Sequence, residues 1–173
     1  GEEVLRHSMV CYSANKGFNL GGLGMATILL ADDDLRYQFN EEMAIAQTRL
    51  DNIFGMAALV AAYTQGEEWL DQAIEYVEGN KPYLADYLSR KIPRIRLIPS
   101  EGTYLVWLDC SDLPYRGMSL EHFMLNEARV AFCAGYEFGE QGDAFLRMNV
   151  ACPRCTLTQA LEQMEDAVRA LPV

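Results

Sequence analysis

The sequence predicts a mixed α/β chain in two parts, and three observations carry that expectation. Two short apolar segments, at 9–13 and 25–31, bracket a Gly-rich connection. Apolar residues then recur at helical spacing through most of 35–91. Beyond residue 95 the pattern changes to short strand-like stretches that close with an amphipathic helix. The change marks a second domain; with the connecting helix counted into it, the division is 1–66 and 67–173.

Residues 9–13 read as a short buried strand, and 25–31 as a second one rich in apolar and branched side chains. Asp32 to Asp34 can cap a following helix, because carboxylates accept from its free amides and complement its dipole; the helical pattern runs from Leu35 to about Arg49. From about Asp51 to Gln65 the chain is apolar nearly all round, as in a helix buried in a larger body, and Gly66 is a natural stop. Leu70, Ala73, Ile74, Val77, Leu84, Tyr87 and Leu88 continue the spacing over 67–91, where Pro82 is expected to kink or split the helix. Strands follow at 95–98 and 103–109, joined through a turn at Glu101 and Gly102. Ser119 can cap a helix over 120–128, and 130–134 and 144–150 read as strands. In the last of these Phe145, Arg147 and Asn149 alternate against Leu146, Met148 and Val150, so Arg147 stands mid-strand. Thr156 with Gln159 forms a capping box for a terminal helix whose stripe is Leu157, Leu161, Met164, Val168 and Leu171.

Composition narrows the function. At 173 residues the chain suits one compact domain or part of a larger body. With 50% hydrophobic residues it can bury a core, which excludes disorder as a description of the whole. A net charge of -11 opposes a nucleic acid or an anionic membrane surface as partner. The basic run Arg90, Lys91, Arg94 and Arg96 lacks interleaved aromatics and reads as a solvated helix end. Apolar runs such as 54–63 fall short of the ~20 residues that span a bilayer. The first residues carry neither an initiating Met nor a basic segment followed by an apolar one, so no signal peptide is expected and the start reads as cut. Cys11, Cys110, Cys133, Cys152 and Cys155 are an odd set, mostly in apolar runs, which fits packed free thiols in a reducing compartment and a cytoplasmic location.

Lys16 lies in SANKGFNLGGLG, among Gly and small polar residues and between two apolar segments. Partial desolvation there would lower its pKa toward a nucleophilic, Schiff-base-forming amine, while the alternative is a solvated loop lysine. The loop is not a Walker A motif, because the GxxxxGK[ST] order is missing. The segment YSANKGFNLGGLG at 12–24, with its Ser-x-x-Lys-x-Phe-Asn-Leu pattern, resembles the cofactor-lysine segment of fold-type I pyridoxal-phosphate (PLP) enzymes, nearest to the MalY/PatB-type cystathionine beta-lyases. FGEQGDAFLRMNVACPR at 138–154 resembles the same family's C-terminal segment, and SEGTYLVWLD at 100–109 and LVAAYTQGEEWLD at 59–71 match in order and spacing.

The resemblance implies a PLP-dependent transferase-like fold, with 1–66 as the C-terminal remainder of the cofactor domain and 67–173 as connecting helix and small domain. It makes Lys16 the lysine that carries the cofactor and moves the α proton, Ser13 a phosphate contact, and Arg147 the clamp for the substrate carboxylate. A planar guanidinium suits that clamp because it binds a carboxylate in two places at once. The implied reaction is α,β-elimination of cystathionine or a related cysteine S-conjugate to pyruvate, ammonia and a thiol. Gly24, eight residues beyond Lys16, stands where ordinary class I aminotransferases carry a phosphate-binding Arg. That favours the lyase over the transaminase, though a loosened phosphate cup is the other reading of the same glycine.

The resemblance also implies that the chain is the back half of a longer enzyme. The front half would supply a phosphate loop, a ring-stacking aromatic and an Asp for the pyridine nitrogen, so this chain alone is expected to turn over negligibly. Full-length members are homodimers, and an isolated half is expected to expose apolar surface and associate non-natively. An aminotransferase fragment, or a non-catalytic effector domain of a transcription regulator, are the alternatives. No metal is expected: Cys152-Pro-Arg-Cys155 lacks two further ligands, and His7 and His122 stand in no ligand spacing. Tyr104, Trp107 and Tyr136 could line a cleft or pack in the core, and Arg154 could assist Arg147 or neutralise nearby acids.

Overall fold

The computed structural model describes residues 1–48, 52–115 and 117–172. They form two compact units, Gly1–Gln72 and Ala73–Val173.

In the first unit a short helix α1 (Glu2–Arg6) leads into β1 (Met9–Tyr12), which pairs antiparallel with β2 (Thr27–Leu30) in the register Met9↔Leu30 to Tyr12↔Thr27. The Gly-rich loop that carries Lys16 is the connection between these two strands. Asp32 caps α2 (Asp33–Ile45) by accepting from the Leu35 amide at 2.9 Å, as its position before a helical run requires. Arg49, where the pattern placed the end of this helix, lies outside the described residues, as does Asp51. Asn52 caps α3 (Ile53–Gln65) through the Gly55 amide at 3.1 Å, and Gly66 follows its last turn. Helix α4 (Glu67–Lys91) starts at the next residue.

The second unit is an antiparallel four-stranded sheet in the order β3-β4-β6-β5. Its strands are β3 (Arg96–Leu97), β4 (Leu105–Asp109), β5 (Cys133–Ala134) and β6 (Phe145–Asn149). Period-two alternation sends Val106, Leu108, Leu146 and Met148 to one face, where they are buried with Leu84 and Leu88 of α4. Phe123 and Met124 of α5 (Leu120–Asn126), and Leu157, Leu161 and Met164 of α6 (Arg154–Arg169), complete this core. Each fully buried Leu or Phe contributes roughly 1.5–3 kcal/mol, so this layer of side chains holds the unit together. The opposite face carries Trp107 and Arg147, which are register partners and only half-buried.

Four expectations are corrected. β1 was expected to be buried and is not, since all of it is exposed; α3, expected to be buried in a larger body, exposes Phe54 to 80% in this chain. Within the first unit Gly55 and Ala62 are the residues of α3 that are buried. Pro82 neither breaks nor splits α4, which is a continuous 25-residue helix. A proline inside a helix costs about 3 kcal/mol, and the apolar contacts of Leu84 and Leu88 on its C-terminal side outweigh it. Helix α6 begins at Arg154, ahead of the expected capping box at Thr156. The Tyr76 hydroxyl of α4 accepts from the Arg154 amide at 2.8 Å, a cap supplied from a distant part of the chain. Finally, Arg154 serves neither role considered for it. Its guanidinium lies over Tyr83 and donates to Asn80 Oδ1 at 2.6 Å and the Gly79 carbonyl at 2.8 Å, joining α6 to α4.

Candidate functional site

The Lys16 loop is fixed by its own neighbours. Ser13 closes its base: the hydroxyl donates to the Met25 carbonyl at 2.6 Å and accepts from the Asn15 amide at 3.1 Å. Asn52 Nδ2 donates to the Leu23 carbonyl at 2.6 Å, tying the loop's far turn to the cap of α3. Phe18 anchors the middle, edge-on to Tyr63 at 5.6 Å and stacked on Trp69 at 6.2 Å. A Cβ at Gly66 would stand 2.8 Å from the Phe18 ring, so the helix junction must be glycine for that ring to seat. Gly24 ends the loop at φ 60°, in the left-handed region that costs other residues about 1–2 kcal/mol. An arginine at this place would carry that strain, which gives the glycine a conformational reason.

Lys16 itself is exposed, and its amine has no hydrogen-bond or ion-pair partner among the described residues. The partial desolvation expected from the flanking segments is absent, since the small residues that let the loop turn put nothing over the side chain. Tested against PLP, the donor set fits in one respect and is incomplete in another. A free primary amine on a loop pinned at its base, middle and far end suits a covalent carrier of an aldehyde. Ser13, however, spends its one hydroxyl hydrogen on Met25, so it would have to exchange that carbonyl to donate to a phosphate oxygen.

In the second unit Arg147 rises from the centre of β6 on the half-covered face of the sheet. Its guanidinium carbon lies 4.5 Å from the centre of the Phe138 ring, and Nη2 donates to Cys133 Sγ at 3.1 Å. Nε is buried and has no partner among the described residues, and no carboxylate there forms an ion pair with this side chain. A buried donor left unpaired costs on the order of 1–3 kcal/mol, and a cation so placed favours an anion that supplies the missing acceptor. Trp107 meets Phe138 edge-on at 5.2 Å, and both line a groove of about 650 Å³ whose walls do not include Arg147. Of the aromatic candidates, Trp107 is therefore at the groove, Tyr104 packs against the core, and the exposed Tyr136 donates to Glu121 at 2.7 Å.

Lys16 and Ser13 thus share one loop of the first unit, and Arg147 belongs to the second. Sequence reasoning missed Cys133 and Phe138 as its companions. Phe138 opens the segment whose likeness drew attention to Arg147, and Cys133 is its cross-strand partner, a pairing that only the register reveals. Among the described residues no group of three or more His, Cys, Asp or Glu could hold a metal ion, and no helix is long and apolar enough to cross a membrane.

No protein-family model matches the chain. Among curated proteins it is 30% identical over 161 residues to cystathionine beta-lyase PatB of Bacillus subtilis (strain 168), a match covering 93% of this chain and 42% of that protein. It is 33% identical over 120 residues to protein MalY of Escherichia coli (strain K12), covering 69% and 31% respectively. Among solved structures, cystalysin from Treponema denticola, which contains a pyridoxal 5'-phosphate cofactor, matches with a TM-score of 0.90 at 28% identity, covering 98% of this chain and 43% of that one. The chain spans less than half the length of each of these proteins.

Proposed function

We infer, from a chain that belongs to the PLP-dependent, aminotransferase-fold family of the MalY/PatB-type cystathionine beta-lyases, that it forms the lysine-bearing and carboxylate-binding part of a carbon–sulfur lyase. The observation that carries the reading is the unencumbered Lys16 amine on a loop held by Ser13, Phe18 and Asn52. In this reading 1–66 completes the cofactor domain, and 67–173 supplies the connecting helix and small domain. The whole enzyme works as a cytoplasmic homodimer on cystathionine or related cysteine S-conjugates.

Each residue then has a task. Lys16 would hold PLP through its amine and, once the substrate's amino group has displaced it, the freed amine would take the proton from the substrate's Cα. Arg147 receives the substrate carboxylate on donors that no acid of the described residues occupies, which fixes the direction in which Cα–H points. Ser13 turns its hydroxyl from Met25 to a phosphate oxygen. PLP, when bound, supplies the electron sink that makes the α proton removable. Expulsion of the thiol from Cβ, followed by hydrolysis, gives pyruvate and ammonia. Gly24 supports the lyase over the transaminase, because its left-handed backbone disfavours the arginine that ordinary class I aminotransferases commonly carry there.

The chain has Lys16, Lys81 and Lys91 as its only lysines, which makes a direct test possible. The 173-residue chain is mixed with PLP, reduced with borohydride and mapped by peptide mass. Label confined to Lys16 is expected, with negligible pyruvate from L-cystathionine by this chain alone. Label spread evenly over the three lysines, or lost from Lys16, would end the proposal.

A further inference from the structure

Arg147 has Trp107 as its register partner on β4 and Cys133 as its partner on β5, so the three side chains form one cross-strand row on the half-covered face of the sheet. β5 is an edge of that sheet, and Cys133 is partly exposed there. Register therefore fixes the contact: Arg147 Nη2 donates to Cys133 Sγ at 3.1 Å, while the Phe138 ring, 4.5 Å from the guanidinium carbon, holds the cation from one side. Among the described residues no carboxylate neutralises this guanidinium, and its buried Nε has no acceptor. Cys133 is the one member of the row that can carry negative charge, and its sulfur is the only cysteine sulfur of the described residues that accepts a hydrogen bond from a cation.

Sulfur attacks a peroxide as its anion, so oxidation selects the thiol whose anion is both supported and reachable. At Cys133 an unneutralised cation gives the support and an edge strand gives the access. In the step, Sγ attacks one oxygen of a hydroperoxide. The S–O bond forms as the O–O bond breaks, and sulfur loses two electrons to the peroxide. The other peroxide oxygen departs as hydroxide or alkoxide and takes up the proton that the thiol released, giving water or an alcohol. The guanidinium offsets the charge on sulfur before the step and on the added oxygen after it.

We propose that Cys133 is a modification site, at which a hydroperoxide oxidises the sulfur to a sulfenic acid whose anion stays paired with Arg147. The proposal needs only these two side chains and stands apart from the carboxylate-clamp reading of Arg147.

The test is competition among the thiols of the 173-residue chain. Hydrogen peroxide is added below one equivalent together with dimedone, which traps sulfenic acids, and the five cysteines are compared by peptide mass. Exposure alone would make Cys11 and Cys155 react first. With the cation in control, Cys133 is expected to gain the adduct about tenfold faster than either, and to lose that lead in denaturant. Arg147→Gln is expected to bring Cys133 down to their rate without changing theirs, and Arg147→Lys, which keeps the charge and loses the planar fork, to retain part of the lead. Buried Cys110 stays unlabelled in a variant that is folded, which separates loss of the cation from loss of structure. Cys11 or Cys155 reacting as fast as Cys133 in the wild type, a lead that persists in denaturant, or a Cys133 rate left unchanged by Arg147→Gln overturns the proposal. If the glutamine variant labels Cys110, Arg147→Lys decides in its place: a lead equal to that of the wild type overturns the proposal, and a reduced one supports it.

Discussion

Asn80 is the test of how the second unit holds its site strand in place. It is fully buried in α4, where Nδ2 donates to the Val150 carbonyl at 2.8 Å and the Cys152 carbonyl at 3.0 Å, and Oδ1 accepts from Arg154 Nε at 2.6 Å. Val150 directly follows β6, the strand that bears Arg147. Asn80→Ala would strand the buried Val150 carbonyl oxygen, the part-buried Cys152 carbonyl oxygen and one guanidinium N–H. At about 1 kcal/mol for each neutral bond and 1.5–3 kcal/mol for the bond to the charged group, the loss should be roughly 3–5 kcal/mol. That is a large share of the roughly 5–15 kcal/mol by which domains are stable. Urea unfolding, followed by far-ultraviolet circular dichroism and by Trp107 fluorescence in the Trp69→Phe background, measures it. A loss below about 1 kcal/mol in Asn80→Ala would refute the reasoning, since that is the net worth of a single ordinary hydrogen bond.

Two further outcomes follow from the chemistry of the second unit. Burial pushes the Cys110 thiol up to about 12, with the nearby Asp109 adding to the shift; in the folded chain a thiol reagent at mildly alkaline pH should label the exposed Cys11 and Cys155 and spare Cys110 until denaturant is added. Rapid labelling of Cys110 without unfolding would contradict this. The side-chain and backbone hydrogen bonds from Ser111, helped by Arg96, hold the Asp109 carboxyl down to about 2. A carboxyl whose folded value is depressed contributes stability in full above its ordinary unfolded value of about 4, and the contribution is lost as pH falls through the folded value. Ser111→Ala should therefore be less stable than wild type above about pH 4, with the gap closing toward pH 2; a gap that persists at pH 2 would mean the hydroxyl acts through something other than this ionisation.

What could be read from the residues follows a physical division. Alternation along 144–150 placed Leu146 and Met148 in the core and Arg147 on the other face, because a strand's period is local and the core confirms it directly. Asp32, Ser119 and the stripe of α6 were legible for the same reason: their effects act within one or two turns. The start of α6 was not, since its cap is a hydroxyl from Tyr76. Pro82 obeyed no local rule either, as packing of residues on the C-terminal side of it keeps the helix whole. For the site, the ordered segments around Lys16 and Arg147 led to the family that the PatB and MalY matches support. The environment of each residue was beyond reach. Exposure of Lys16 and the pairing of Arg147 with Cys133 and Phe138 depend on side chains brought together by register and turn.

The ring of Phe138 against Arg147 has one more effect. A guanidinium lying over an aromatic ring is closed to anions from that side, and its best-directed donors point along its rim, in the plane of its N–H bonds. The angle of approach is thus set in part by an uncharged neighbour. Lysine at this position would keep the positive charge and forfeit the directionality, because a tetrahedral ammonium has no rim to present.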